Sequence, residues 1–401
     1  MTLETRLTWF LSIGLILNMV GFLAPAAVLP QILDDWQLSE KAGGWLAGAM
    51  FGGYAVSSPI LSALTDRINA KKIMLVALVA SSIGGFGVAF VADGLWSAVA
   101  FRLISGFGLA GFYMPGLKLI ADLLDGEERM RAAAVYPSMF AFGGAGPFLV
   151  AAVMLDSADW RMLFVIAGIT AAVALVVVGL LVPGAPPTNR VQPFNLRAAL
   201  GNKGVQAYSL AAAGHIMEIF SFRSWIMAAM LFGVSLPINT AYTGWNLPLL
   251  AGLTALISAP ASVVVARLAL RIGRQYVVMV TSLVSAIVAI AISFAIHQPF
   301  PLFVALLFVY AVTTFADTAA LSGGIVAHAD EQSRGTALAV FSVSGFSGGM
   351  VGPFILGFLI EVSGGRFTGE AWTAAYLGLA CFAVIPTLVM ALYSRQLKRR
   401  Q

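Results

Sequence analysis

Twelve stretches of roughly twenty apolar residues, punctuated by charges, glycine or proline, leave this chain few ways to fold. They run at 8–30, 42–64, 73–92, 95–122, 131–155, 160–182, 205–232, 240–265, 276–296, 300–324, 334–361 and 371–394. A helix needs about 20 apolar residues to cross the hydrocarbon core of a bilayer. Of the 401 residues 60% are hydrophobic and 10% charged, against roughly a quarter charged in an average soluble domain. A soluble fold has no room to bury that surplus. The expectation is an all-α membrane protein of twelve transmembrane helices, with the lipid bilayer as solvent. The fourth, seventh and eleventh runs exceed the minimum span, which helices accommodate by tilting.

Basic residues set the orientation, because cytoplasmic loops retain Lys and Arg. With the amino terminus inside, Arg6, Arg67, Lys71, Lys72, Arg129, Arg131, Arg190, Arg197, Lys203, Arg267, Arg271, Arg274, Arg334, Arg395, Lys398, Arg399 and Arg400 fall on the cytoplasmic side. Lys41, Arg161 and Arg366 fall opposite, and Arg102, Lys118 and Arg223 lie within runs, a tally of 17 against 3 with 3 intramembrane. The expectation is a multi-pass protein of a bacterial-type cytoplasmic (inner) membrane, with both termini cytoplasmic. Topology then accounts for the pI near 9.4 without a nucleic-acid partner. Cys381 stands alone, so it builds neither an intramolecular disulfide nor a thiolate metal cluster, and its apolar run marks it as core filler. Ala24-Pro25-Ala26 resembles a signal-cleavage site, but the run Thr8 to Pro30 is longer than a signal core and reads as a retained helix.

The longest polar interval, Pro183 to Gly204 with Pro183, Pro186, Pro187 and Pro193, reads as a cytoplasmic linker between residues 1–182 and 205–401. Each part holds six runs, and landmarks repeat between them. Leu64-Thr65-Asp66-Arg67-Ile68-Asn69 returns as Leu268-Ala269-Leu270-Arg271-Ile272-Gly273, an offset of 204. Gly146-Pro147-Phe148 returns as Gly352-Pro353-Phe354, an offset of 206. Two landmarks at nearly one spacing point to an internal duplication, and parallel six-helix repeats are a transporter architecture.

On these residues the whole chain resembles the major facilitator superfamily of secondary transporters. That family's signature loop between helices 2 and 3 is Gly-x-Leu-Ala-Asp-Arg-x-Gly-Arg-Arg. Ser62 to Lys72 keeps Leu64, Asp66, Arg67 and the basic end, and departs at Ser62 and Asn69. The resemblance implies two six-helix pseudo-repeats around a central cavity. It also assigns Asp66, Arg67 and Arg131 to a conformational latch that engages helix 11 and favours the outward-facing state. A carboxylate near a helix start is stabilised by the helix's positive end and by guanidinium groups; simple loop solvation is the other reading. Leu270 replaces the acid in the second copy, so a latch would be asymmetric. Arg102-Leu103-Ile104-Ser105-Gly106-Phe107-Gly108 is similar to a second family motif, linked to proton coupling or anionic substrates. An arginine so near a helix end can instead snorkel to the surface. Gly143, Gly146 and Pro147 resemble the glycine-proline motif of antiporter members, with Gly352 and Pro353 as its counterpart; tight helix packing or a kink explains the same residues.

Ionisable residues inside runs are the candidates for chemistry, because membrane-embedded charges face a bundle interior or cavity and find partners there. They are Arg102 in the fourth run, His215, Glu218 and Arg223 in the seventh and Asp317 in the tenth, with Asn18 at comparable depth in the first. The resemblance places helices 1, 4, 7 and 10 around the central cavity. His215 and Glu218, three residues apart, share a helix face. Glu218 and Arg223, five apart, point about 140° away from each other, so Arg223 needs another partner, backbone carbonyls or the solute. Glu218 is the first candidate proton carrier and Asp317 the second. The aromatic residues Tyr113, Phe220, Phe222, Trp225 and Tyr310 either stack on a solute or pack.

The reading is a proton-coupled secondary transporter of a small solute, working as a monomer by alternating access. No Walker-type loop is present. His215, His297 and His328 are scattered, with no His-Glu-x-x-His helix, so neither a metal centre, a cofactor nor an embedded enzyme is expected. Two directions stay open. The glycine-proline segment favours export by antiport, and Arg102 with Arg223 favours import of a small organic or inorganic anion.

Overall fold

The computed structural model describes residues 2–154, 159–187, 195–330 and 333–398; Arg190 and Pro193 of the linker, and Arg399 and Arg400, lie outside them. The helices are α1 (Leu3–Met19), α2 (Ala24–Ala27), α3 (Leu29–Asp35), α4 (Glu40–Leu64), α5 (Ala70–Phe90), α6 (Leu95–Leu123), α7 (Gly126–Met154), α8 (Arg161–Leu181), α9 (Leu196–Gly201), α10 (Lys203–Ser235), α11 (Leu247–Ile272), α12 (Arg274–Ala295), α13 (Phe300–Phe315), α14 (Thr318–His328), α15 (Arg334–Val362) and α16 (Gly369–Lys398). No strand occurs among the described residues. Eleven spans there, with α13 and α14 counted as one, are long and apolar enough to cross a membrane. The first run departs from a single span: α1 has 17 residues, and the chain breaks before two short helices that each carry proline in the first turn. The eighth run starts later than its apolarity implies, because Pro237–Tyr242 forms a 3₁₀ turn and Asn246 caps α11.

Large apolar side chains cover the outside, among them Val56, Phe90, Val153, Leu180 and Phe294, as a lipid-facing belt requires. Cys381 belongs to this exterior: it is exposed rather than core filler. Polar contacts gather at the two ends of the bundle. At the end bearing the termini, Arg6 donates to Leu181 O, Lys71 Nζ to Gly179 O and Asn202 Nδ2 to His328 O. At the far end, Trp160 Nε1 donates to Asp35 and Asn246 Nδ2 to Ala152 O.

The α1–α8 and α10–α16 sets meet chiefly where α4 packs along α15 and α7 along α11. Small residues allow the first of these contacts. A Cβ on Gly48 would overlap the carbonyl of Met350, and one on Gly44 that of Pro353. Dispersion between closely packed backbones holds helices together where lipid removes most of the hydrophobic drive.

Candidate functional site

The candidate residues separate into three places. Within the α10–α16 set, α10 presents His215 and Glu218 one turn apart toward α12 and the α13–α14 break. His215 Nδ1 lies 2.9 Å from Asp317 Oδ1, and Ser282 Oγ donates to Asp317 Oδ2 at 3.1 Å. His215 Nε2 is 3.0 Å from Thr318 Oγ1, whose own proton goes to Phe315 O at 2.9 Å. With the hydroxyl proton on Phe315 O, Nε2 is the nitrogen that donates to Thr318, and Nδ1 faces Asp317. His215 and Asp317 thereby saturate each other. Asp317 reaches this position because α13 ends at Phe315, and its side chain leaves the first turn of α14 uncapped.

Glu218 is bonded differently. Ser285 Oγ donates to Oε1 at 2.5 Å and Tyr310 Oη at 2.9 Å. No Lys, Arg or His lies within ion-pair distance of it among the described residues. Its Oε2 has no hydrogen-bond partner there, yet is not among the sealed unpartnered atoms. The two serines stand one turn apart on α12, one for each acid. Sequence reasoning missed them; hydroxyls at helical spacing in an apolar run were the available signal.

Arg223 lies elsewhere, at the meeting of both sets. Nη2 donates to Ser258 Oγ on α11 at 3.2 Å, and the guanidinium carbon is 5.4 Å from the Phe315 ring centroid. Nη1 faces α7, where a Cβ on Gly144 would come within 3.0 Å. Nε and Nη1 have no partner among the described residues and are not sealed.

Arg102 occupies a third place, inside the α1–α8 set. Nη1 donates to Gly21 O at 2.5 Å and Nη2 to Phe22 O at 2.6 Å, with Met50 Sδ at 3.0 Å. It neither snorkels, at 1% exposure, nor joins the other charged candidates. It holds two carbonyls of the turn that follows α1 and its C-cap Val20, near a helix end where cations are favoured. Asn18 shares a narrow cavity with it. Both amide atoms of Asn18, like Arg102 Nε, are sealed and unpartnered among the described residues.

The latch residues remain within their own set. Asp66 lies 3.9 Å from Lys118 Nζ, which is also 3.1 Å from Asp122. The start of α5 is capped by Asn69 rather than Asp66. Arg131 pairs with Glu4, Nε to Oε1 at 2.9 Å and Nη2 to Oε2 at 3.2 Å. No hydrogen bond or ion pair joins Asp66 or Arg67 to α15 among the described residues. The ion pairs that cross between the sets are at the far end instead. Arg366 contacts Asp34 and reaches Glu40 Oε1 at 3.3 Å, and Lys41 N donates to Glu361 Oε2 at 2.9 Å. These residues too were missed. Their signal was in the charge tally, since Lys41, Arg161 and Arg366 are its three exceptions, and Arg161 pairs with Asp35 at 2.9 Å.

The glycine-proline segments serve close packing. A Cβ on Gly143 would strike Met19 and one on Gly352 would strike Met217, whereas Gly146 has only Val20 at 3.9 Å. Pro147 and Pro353 lie inside their helices, and Pro353 O accepts from Trp225 Nε1 at 3.1 Å. Phe22 joins both sets through ring contacts at 5.4 Å to Phe51 and 5.5 Å to Phe140 and Phe220. Phe222 stacks edge-on against Tyr310 at 4.9 Å, and Tyr113 against Phe140 at 5.1 Å.

The sequence profile of the Major Facilitator Superfamily matches residues 11–247 and 220–400. The niacin transporter of Acinetobacter baylyi is 24% identical over 172 residues, 43% of this chain and 39% of the relative. The gentisate transporter of Corynebacterium glutamicum is 28% identical over 155 residues, 38% of this chain and 35% of the relative. The matched stretches thus span well under half of these relatives. A crystal structure of a bacterial homolog of the human lysosomal transporter Spinster, inward-facing and occupied, superimposes with a TM-score of 0.76. It is 17% identical and covers 98% of this chain and 97% of its own, which shows a shared fold.

Proposed function

Because the chain belongs to the Major Facilitator Superfamily, we propose that it is a proton-coupled secondary transporter moving a small solute by alternating access. Residues 1–182 and 205–401 are the two moving halves, joined by the linker 183–204. The membrane is a bacterial-type cytoplasmic one, with both termini in the cytoplasm, as the 17 against 3 distribution of basic residues favours. In that orientation the far end faces outward, and the ion pairs there support a reading of this arrangement as one closed on the outside. The pairing of Asp66 with Lys118 rather than with a residue of α15 supports the same reading, if Asp66 is the latch that the resemblance assigns.

The observation that carries proton coupling is Glu218: a carboxyl at membrane depth, held by two hydroxyls, with Oε2 open and no cation beside it. Such a group can take up and release a proton without breaking an ion pair. His215 and Asp317, each satisfied by the other, are the second station.

Export by proton antiport is the direction the glycine-proline resemblance favours. Arg223 favours the second reading, proton-coupled import of a small organic or inorganic anion, because it is a cation at the junction of the halves with open donors. The niacin and gentisate transported by the two relatives are organic acids, which supports an organic anion. The test is pH-gradient-driven flux in proteoliposomes carrying the intact protein or Glu218→Gln. Loss of proton-driven accumulation with solute exchange retained is the expected result; unchanged coupling sinks the assignment to Glu218 and turns attention to Asp317.

A further inference from the structure

Resting on that transport reading, we infer that Arg223 anchors the one negative charge of an aromatic monocarboxylate, and that the solute's ring lies against Phe140 and Phe220. Three cations sit inside apolar runs, and two are committed. Arg102 is held by the carbonyls of Gly21 and Phe22, and Lys118 by Asp122 at 3.1 Å. Arg223 has Nε and Nη1 open, with no carboxylate within ion-pair distance among the described residues. Ser258 spends its own proton on Ala255 O at 2.7 Å, so toward Arg223 it accepts. It orients the guanidinium rather than binding the solute. Phe315 stacks beneath the same group and further restricts it. A planar fork so fixed, with an open edge, matches a carboxylate.

One guanidinium balances one charge. A second carboxylate on the solute would enter an apolar interface without a counterion, at a cost that burial does not return. A neutral amide of the same shape would leave the cation uncompensated.

The aromatic requirement comes from the next tier of side chains. On α7, Phe140 is one turn before Gly144, which faces Arg223; on α10, Phe220 is one turn before Arg223 itself. Both helices run from the terminus-bearing end, so both rings lie on that side of the cation. They converge on Phe22, each at 5.5 Å. A helical turn, about 5.4 Å, separates the charged tier from the aromatic one. A ring with a directly attached carboxylate spans that step.

The experiment is equilibrium binding of radiolabelled benzoate to the purified full-length protein, with benzamide and phthalate as competitors. Saturable benzoate binding is expected, displaced by nicotinate but not by a tenfold excess of benzamide or phthalate. Arg223→Gln should weaken it by at least about 30-fold, and Arg223→Lys by less, at an unchanged melting temperature. Should Arg223→Gln fail to fold, Gly144→Ala crowds Nη1 from the opposite half and should weaken binding severalfold. Absence of saturable benzoate and nicotinate binding, effective competition by phthalate, or wild-type affinity in the altered proteins overturns the inference. Proton-driven flux of a neutral or cationic solute without benzoate binding overturns the inference and leaves transport standing. Benzoate binding with no flux of any solute does the reverse.

Discussion

Removing Arg366 should open the far end of the bundle. This side chain joins the two helix sets through Asp34 and Glu40, while its backbone N–H donates separately to Glu40 at 3.2 Å and survives substitution. The two ion pairs differ in worth. Asp34 is 66% exposed, so its pair contributes less than about 1 kcal/mol. Glu40 is 12% exposed and Arg366 11%, a setting where a charged hydrogen bond is worth about 1.5–3 kcal/mol. Arg366→Met keeps the apolar stem beside Phe367 and removes both pairs, a net loss of about 2 kcal/mol from the closed form. That changes the ratio of open to closed molecules by roughly 30-fold. Spin labels on Gly94→Cys and Gly244→Cys, in a Cys381→Ser background, report the distance across the far end; both positions have open space around the added side chain. Pulsed distance measurements should show a longer-distance population growing in Arg366→Met and only slightly in Asp34→Asn. An unchanged distance distribution in Arg366→Met would refute the claim that these ion pairs hold the end shut.

Arg102→Met should lower the thermal midpoint, because it leaves the carbonyls of Gly21 and Phe22 without their donor at a cost of about 2 kcal/mol. Benzoate affinity should stay at the wild-type value, and loss of benzoate binding without loss of stability would return Arg102 to the solute site. Gly48→Val forces a side chain onto the Met350 backbone and should abolish recovery of folded protein, whereas Gly146→Ala meets its nearest neighbour at 3.9 Å and should be tolerated. Equal yields from the two would show that α4 and α15 can separate without loss of the fold.

Helix class, and every span but the broken first one, were written in composition and run length, because the bilayer admits only a polypeptide that satisfies its own backbone hydrogen bonds. Candidate residues were equally legible, since a Glu, Arg or Asp in an apolar run stands out wherever the helices pack. Their grouping was not. Asn18, Arg102, Glu218, Arg223 and Asp317 lie in runs that the resemblance makes equivalent around one cavity, which suggests one cluster. The structure instead sends Arg102 to the broken end of α1, encloses Glu218 and Asp317 within one helix set, and leaves Arg223 at the junction. The direction in which a side chain leaves its helix depends on rotation and on the neighbour across the interface. Period and hydropathy carry neither. Arg366 shows the same limit. Counting charges marks it as an exception, but only contact with Asp34 and Glu40, more than 320 residues away, makes it a tie between the two sets. Sequence alone determined that this chain lives in a membrane, and which of its residues are unusual there. Tertiary packing decided which of those residues meet, because each meeting depends on atoms brought together from helices far apart in the chain.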